Sequence, residues 1–160
     1  MILAAADALL GPWRAEHDWT ARNGLPTHVS VRVPIPVDVD LGPARVVPAA
    51  GPLPVTVTLA RLEDRPGALV AVAEPDGELR LVTERLGVLG DLPPHREGRR
   101  DLAYHATIVR TPDADVRRAA AAAIEPLLPL TEVTDELSLF EWVGFDEFRV
   151  LWRSSPRLVH

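Results

Sequence analysis

A chain of 160 residues with 47% hydrophobic side chains is long enough for one domain with a real core and too short for two full ones. The absence of cysteine excludes a disulfide scaffold, a thiolate metal site and a cysteine nucleophile, and the absence of lysine excludes a P-loop lysine and Schiff-base chemistry. All 17 basic residues are arginine, and the 23 acidic ones leave a net charge of −6, which argues against a protein built to hold long nucleic acid or an anionic membrane while allowing a local arginine patch to grip one phosphate.

The apolar start Met1 to Ala6 has no basic region and is interrupted by Asp7, so it is a poor signal peptide. Nowhere do about 18 consecutive apolar residues occur, the minimum for a membrane span. The expectation is a cytoplasmic protein, 1–160 forming a single domain.

Pro12 stands where a first helical turn accepts proline, and Trp13, His17 and residues 19–21 follow at helical spacing until Asn23-Gly24. This predicts an amphipathic helix over 12–23. Thr27 to Val33 alternates with period two and predicts a half-buried strand, with His28, Ser30 and Arg32 on one face and Val29, Val31 and Val33 on the other. Residues 34–54 hold six prolines and read as a connecting segment with little regular structure. Residues 55–62 and 68–73, on either side of Arg65-Pro66-Gly67, read as a hairpin.

Residues 78–86 carry Leu79, Val82 and Leu86 at helical spacing and stop before Gly87. A polar loop over 90–101 follows, then a strand over 103–110. Thr111, Pro112 and Asp113 read as N-cap, first helical residue and first-turn acid of an alanine-rich helix that runs to Ile124 and ends at Pro126. Two late strands are predicted over 132–142 and 147–152, with Gly144-Phe145-Asp146 between them.

One decapeptide recurs. Leu25-Pro26-Thr27-His28-Val29-Ser30-Val31-Arg32-Val33-Pro34 lines up with Leu102-Ala103-Tyr104-His105-Ala106-Thr107-Ile108-Val109-Arg110-Thr111, which suggests two related halves. Residues i and i+2 of a strand share a face, so His28 with Ser30 and His105 with Thr107 each form an imidazole-hydroxyl pair. If the two strands meet near a two-fold axis, the hydroxyls can donate to phosphate oxygens while the imidazoles flank phosphorus. In-line displacement needs a base for the attacking oxygen and an acid for the leaving one. Imidazole titrates near neutrality and can serve as either, so the scheme needs no metal.

His28-Val29-Ser30-Val31 and His105-Ala106-Thr107-Ile108 resemble the two H-x-[ST]-h motifs (h hydrophobic) of the 2H phosphoesterase superfamily, which includes bacterial 2′-5′ RNA ligases and RNA 2′,3′-cyclic phosphodiesterases. Residues 12–14 through Gly24-Leu25-Pro26-Thr27-His28 are similar to the helix and lead-in of small bacterial members, and Arg110 stands where an arginine often follows the second motif. The resemblance implies an α+β fold of two pseudo-symmetric lobes of antiparallel sheet with outer helices and a central cleft. It implies His28 and His105 as general acid and base, with Ser30 and Thr107 binding phosphate, and no cofactor. The implied partners are a small phosphodiester, a nucleotide or RNA ends, met by a monomer.

Further candidates surround these four. Arg110 would face away from His105 and Thr107 on a regular strand and needs a bulge or strand end to enter the cleft. Arg99 and Arg100 precede the second motif and can close over a phosphate, and Tyr104 either stacks on a base or packs. His17, His95 and His160 lack zinc spacing. Trp13, Trp19, Trp142 and Trp152 are core or cleft-edge residues. Two other functions fit the same residues: a module that binds a nucleotide or RNA end without turnover, and an acid-base enzyme acting on a non-phosphate metabolite.

Overall fold

The first three residues already bind two distant segments together. In the computed structural model, which describes residues 1–32, 41–87, 89, 103–144 and 147–154, Leu3 N–H donates to the Thr27 carbonyl and Val29 N–H to the Met1 carbonyl, both at 2.9 Å. On its other side Ile2 N–H donates to the Glu136 carbonyl at 3.1 Å, and the Thr134 hydroxyl donates to the Ile2 carbonyl at 2.8 Å. Helix α1, Ala4–His17, starts directly afterwards. Leu3 has no side chain that could cap it, and the Glu132 carboxylate instead accepts the amide protons of Ala5 and Ala6 at 3.1 Å. A negative group there satisfies orphan donors and favours the helix dipole.

The predicted helix over 12–23 is two helices. Pro12 lies inside α1 on its exposed side, and the break comes at Asp18, whose carboxylate accepts Thr20 N–H at 3.1 Å and starts the short α2, Trp19–Arg22. The predicted strand over 27–33, of which 27–32 are described, is also not a ladder strand over those residues. It makes one isolated bridge, Ile2 to His28, because its neighbour is only three residues long before α1 begins. Its alternation survives nonetheless: Leu25, Thr27, Val29 and Val31 are buried, while Pro26, His28, Ser30 and Arg32 are half-buried between them. Within the segment read as irregular lies α3, Pro43–Ala50, which begins with proline at its first position and buries Val46 and Ala50.

The main sheet is four-stranded and antiparallel, in the order β3-β2-β1-β4. β1 (Val55–Arg65) and β2 (Ala68–Ala73) form the predicted hairpin, and β3 (His105–Arg110) pairs with β2 on the far side. β4 (Leu130–Thr134) pairs with β1. Helix α4, Gly77–Gly87, buries Leu79, Val82 and Leu86 as its spacing foretold. Helix α5, Ala114–Ile124, is capped by Asp113, which accepts Asp115 N–H at 2.9 Å. Thr111 is therefore not the cap; its hydroxyl accepts Asp113 N–H at 3.2 Å one turn earlier. A 3-10 turn over Glu125–Leu127 follows.

The strand predicted over 132–142 is broken at 135–137, where the chain leaves the main sheet. β5 (Ser138–Gly144) and β6 (Glu147–Arg153) form a separate two-stranded hairpin. Leu139 and Trp152 anchor it to the core, and the Trp152 indole N–H donates to the Leu41 carbonyl at 2.7 Å. The architecture is mixed α and β. No helix among the described residues is long and apolar enough to cross a membrane.

One buried hydroxyl joins the two motif segments. Thr83 Oγ1 on α4 donates to the Val31 carbonyl at 2.7 Å and accepts the Tyr104 hydroxyl at 2.7 Å, tying the last residue of the first motif to the residue before His105. Thr83→Val removes both bonds in a buried site and is expected to cost about 1–3 kcal/mol, measured by urea unfolding. Unchanged stability would show that the link carries no weight.

Candidate active site

A cleft of about 250 Å³ opens on one face of the main sheet, and its position follows from strand register. Thr107 pairs with Val70 and Arg110 with Ala68, which in turn pairs with Arg65. Val70 and Ala68 thus form a floor between Arg65 on β1 and the polar row of β3. A bulge between Leu69 and Val70 leaves Ile108 without a partner, so Ile108 and Val109 are both buried and Arg110 returns to the face of His105 and Thr107. This is the irregularity that Arg110 needs. The extended segment before α3 contributes His28 and Ser30 to the same cleft.

All four residues of the paired motifs therefore line one cavity. The two imidazoles are also held alike. His28 Nδ1 lies 2.8 Å from the Pro26 carbonyl oxygen, and His105 Nδ1 lies 2.9 Å from the Ala103 carbonyl oxygen, in each case two residues back. A carbonyl can only accept, so each neutral ring carries its proton on Nδ1 and keeps the Nε2 lone pair for another partner. Burial pushes the His28 pKa down to about 4; the Pro26 carbonyl opposes this shift, and the Arg14 guanidinium adds to it. His28 is accordingly neutral at pH 7.

Arg65 is the functional candidate that sequence reasoning missed. Its Nη1 lies 3.2 Å from His105 Nδ1 and 3.5 Å from Nε2, close against the ring, while its Nε donates to Glu63 at 2.7 Å. The Arg65 hydrogen bond holds the Glu63 carboxyl below its ordinary range. The only available signal was the Arg65-Pro66-Gly67 turn, which fixes Arg65 at the end of β1 but says nothing about which strand lies beyond β2. Arg65 and Arg110 bring two guanidinium groups to the described lining, which holds no Asp or Glu, and each also meets a carboxylate outside it, Glu63 and Asp18 respectively.

Behind the cleft lies a buried ion network. Arg14 is 2% exposed and Asp18 fully buried, 3.3 Å apart, and Arg14 also donates to Thr27 Oγ1 at 3.1 Å and to the Leu25 carbonyl at 2.9 Å. Asp18 meets Arg110 Nε at 3.4 Å, and Arg110 Nη2 lies 3.5 Å from Thr107 Oγ1. Asp18 thus positions the segment leading to His28 through Arg14, and Arg110 directly.

The remaining candidates fall on both sides. Tyr104 does not face the cleft: it is buried and donates to Thr83, so it packs rather than stacks on a ligand, and burial raises its pKa. Arg99 and Arg100, with the polar loop over 90–101, lie outside the described residues, as do His95 and His160. Trp13 and Trp152 pack against the core, whereas the Trp19 ring lies 6.0 Å from the Arg110 guanidinium and the Trp142 ring lies 6.4 Å from Trp19. Among the described residues no group of three His, Asp or Glu side chains is placed to hold a metal ion. Comparison of the chain with protein-family models and with curated proteins finds no match.

Proposed function

We propose that this chain is a phosphodiesterase of the two-histidine type, acting on a 2′,3′-cyclic phosphate or a related small phosphodiester. The observation that carries the reading is the convergence of His28, Ser30, His105 and Thr107 on one basic cleft, with both rings tied at Nδ1 in the same way. The matched motifs and their shared carbonyl bonds support membership of the 2H phosphoesterase superfamily. On that reading the fold is the superfamily's bilobal one, with the extended segment through His28 as counterpart of β3.

In the reaction, His28 takes a proton from water as its oxygen bonds to phosphorus. The bond from phosphorus to the ester oxygen breaks on the opposite side, and protonated His105 gives its proton to that oxygen. Ser30 and Thr107 donate to the non-bridging oxygens, and Arg65 and Arg110 offset their charge. His28 suits the base role because burial keeps it unprotonated. The scheme draws both proton transfers from the chain's own side chains.

A titration tests the assignment. The acid limb of kcat/KM reports the base in the free enzyme and is expected near pH 4, since His28 accepts a substrate proton only when unprotonated. A bound phosphate places negative charge beside the ring and raises its pKa, so the acid limb of kcat is expected at higher pH. The substrate is adenosine 2′,3′-cyclic phosphate, followed by product release over pH 3–8. An acid limb of kcat/KM at the ordinary imidazole value of 6.5 would assign the base to another group.

A further inference from the structure

Among the described residues the two motif segments share no ladder: β3 pairs with β2, while the segment through His28 is bridged to Ile2. Packing and side-chain bonds, not backbone pairing, therefore set the gap between the two imidazoles. Two buried side chains span it at opposite ends. Asp18 works at one end, through Arg14 to Leu25 and Thr27 and through Arg110 to β3. Thr83 works at the other, and the proton-transfer scheme makes no use of it.

Thr83 is buried on α4 and lies outside the cleft lining. Its Oγ1 is 2.7 Å from the Val31 carbonyl, 2.9 Å from the Leu79 carbonyl one turn back, and 2.7 Å from the Tyr104 hydroxyl. The hydroxyl has one proton, which the two carbonyls share, while the tyrosine donates to the oxygen. The helix beneath it is pinned to the sheet: α4 buries Leu79, Val82 and Leu86, and the Glu78 carboxylate accepts Thr56 N–H of β1 at 2.6 Å. The bridge thus runs from a fixed mount to the last residue of the first motif and to the residue directly before His105. The repeated decapeptide has the same device in its other half. Tyr104 stands where Thr27 stands, and Thr27 Oγ1 accepts from the buried Arg14 at 3.1 Å.

We propose that Thr83 is a positioning residue for the proton transfers: by holding Val31 and Tyr104 together it keeps His28 and His105 at the separation that an in-line displacement needs. This deepens the two-histidine reading and rests on it. Both rings must reach opposite oxygens of one phosphorus centre, so a displacement of about 1 Å that starts far from the reacting atoms costs up to about 100-fold in rate. Without the Thr83 hydroxyl, the Val31 carbonyl and the Tyr104 hydroxyl lose their shared partner in a buried site and move apart toward other ones.

Hydrolysis of adenosine 2′,3′-cyclic phosphate by the full chain, at a temperature below each variant's melt, tests this. Thr83→Val and Tyr104→Phe are each expected to lower kcat roughly 10- to 100-fold, and Thr83→Ser, which keeps the hydroxyl, to stay within about threefold of the wild type. Tyr104→Phe removes one oxygen outside the cleft and carries the test by itself if Thr83→Val does not fold. A double-mutant cycle separates positioning from general loosening. In a His105→Ala background, where no second imidazole is left to be spaced, either substitution is expected to cost less than about twofold more. Equal losses in both backgrounds, a Thr83→Ser chain as slow as Thr83→Val, or kcat within about twofold of the wild type for both Thr83→Val and Tyr104→Phe overturns the positioning role and leaves the two-histidine reading standing. A wild-type chain that hydrolyses no cyclic diester, or a His105→Ala chain as fast as the wild type, overturns both.

Discussion

His105→Ala and His28→Ala are each expected to lower kcat for hydrolysis of a cyclic phosphodiester by roughly 10²- to 10⁴-fold, the usual worth of a positioned proton donor or acceptor. In the proposed scheme the two rings act on opposite sides of phosphorus, and each is tethered at Nδ1 to a backbone carbonyl, so neither replaces the other. The double variant is expected to lose little beyond the worse single one, as groups that act in one concerted step do not contribute additively. Ser30→Ala and Thr107→Ala remove hydrogen bonds to phosphate and are expected to slow turnover less, each by about 1.5–3 kcal/mol of transition-state binding, the range for bonds to charged groups. Rates are measured alongside thermal melts, so that misfolding is separated from lost chemistry. Near-wild-type rates in both histidine variants would end the two-histidine mechanism, and unaffected rates in both hydroxyl variants would point to a substrate other than a phosphate ester.

The second large effect concerns stability. Arg14→Met keeps most of the apolar stem but removes the cation that faces Asp18, which is fully buried and also accepts the Thr20 hydroxyl at 2.8 Å. Breaking a buried pair from one side leaves an uncompensated charge, at a cost of about 3–5 kcal/mol. The loss is expected in urea unfolding and at pH 7. It should be accompanied by a higher KM, because the Leu25 carbonyl and Thr27 hydroxyl that Arg14 holds precede His28 directly. A cost below about 1 kcal/mol would mean that Arg110, 3.4 Å from Asp18, suffices to balance it.

Strand and helix periodicity carried the sequence reading furthest where local pattern and tertiary burial agree. The β1–β2 hairpin, α4, β3 and α5 lie where alternation or helical spacing put them, and the polar face of His28, Ser30 and Arg32 is present although its ladder is not. The misses have tertiary causes. Helix α1 begins at Ala4 with a cap supplied by Glu132 from β4, a partner that no local window contains. The proline content predicts little regular structure over 34–54, yet Pro43 begins α3 where an amide proton is not needed. The chain between β4 and β5 leaves one sheet for another because Thr134 turns to Ile2 and Glu136, and Leu137 N–H to the Ser154 hydroxyl. Among the residues that line the cleft, the sequence names the four motif positions, and Arg110 on the condition of a bulge or strand end. It does not name Arg65, whose place depends on the order of strands in the sheet.

A crystal of the chain soaked in sulfate gives the most direct test of the cleft as a phosphodiester site. The expected density is one tetrahedral anion within hydrogen-bond distance of both Nε2 atoms and of the Ser30 and Thr107 hydroxyls, with Arg65 or Arg110 as a further donor. Sulfate bound elsewhere on the surface with none in this cleft, at concentrations that saturate those other positions, would contradict it.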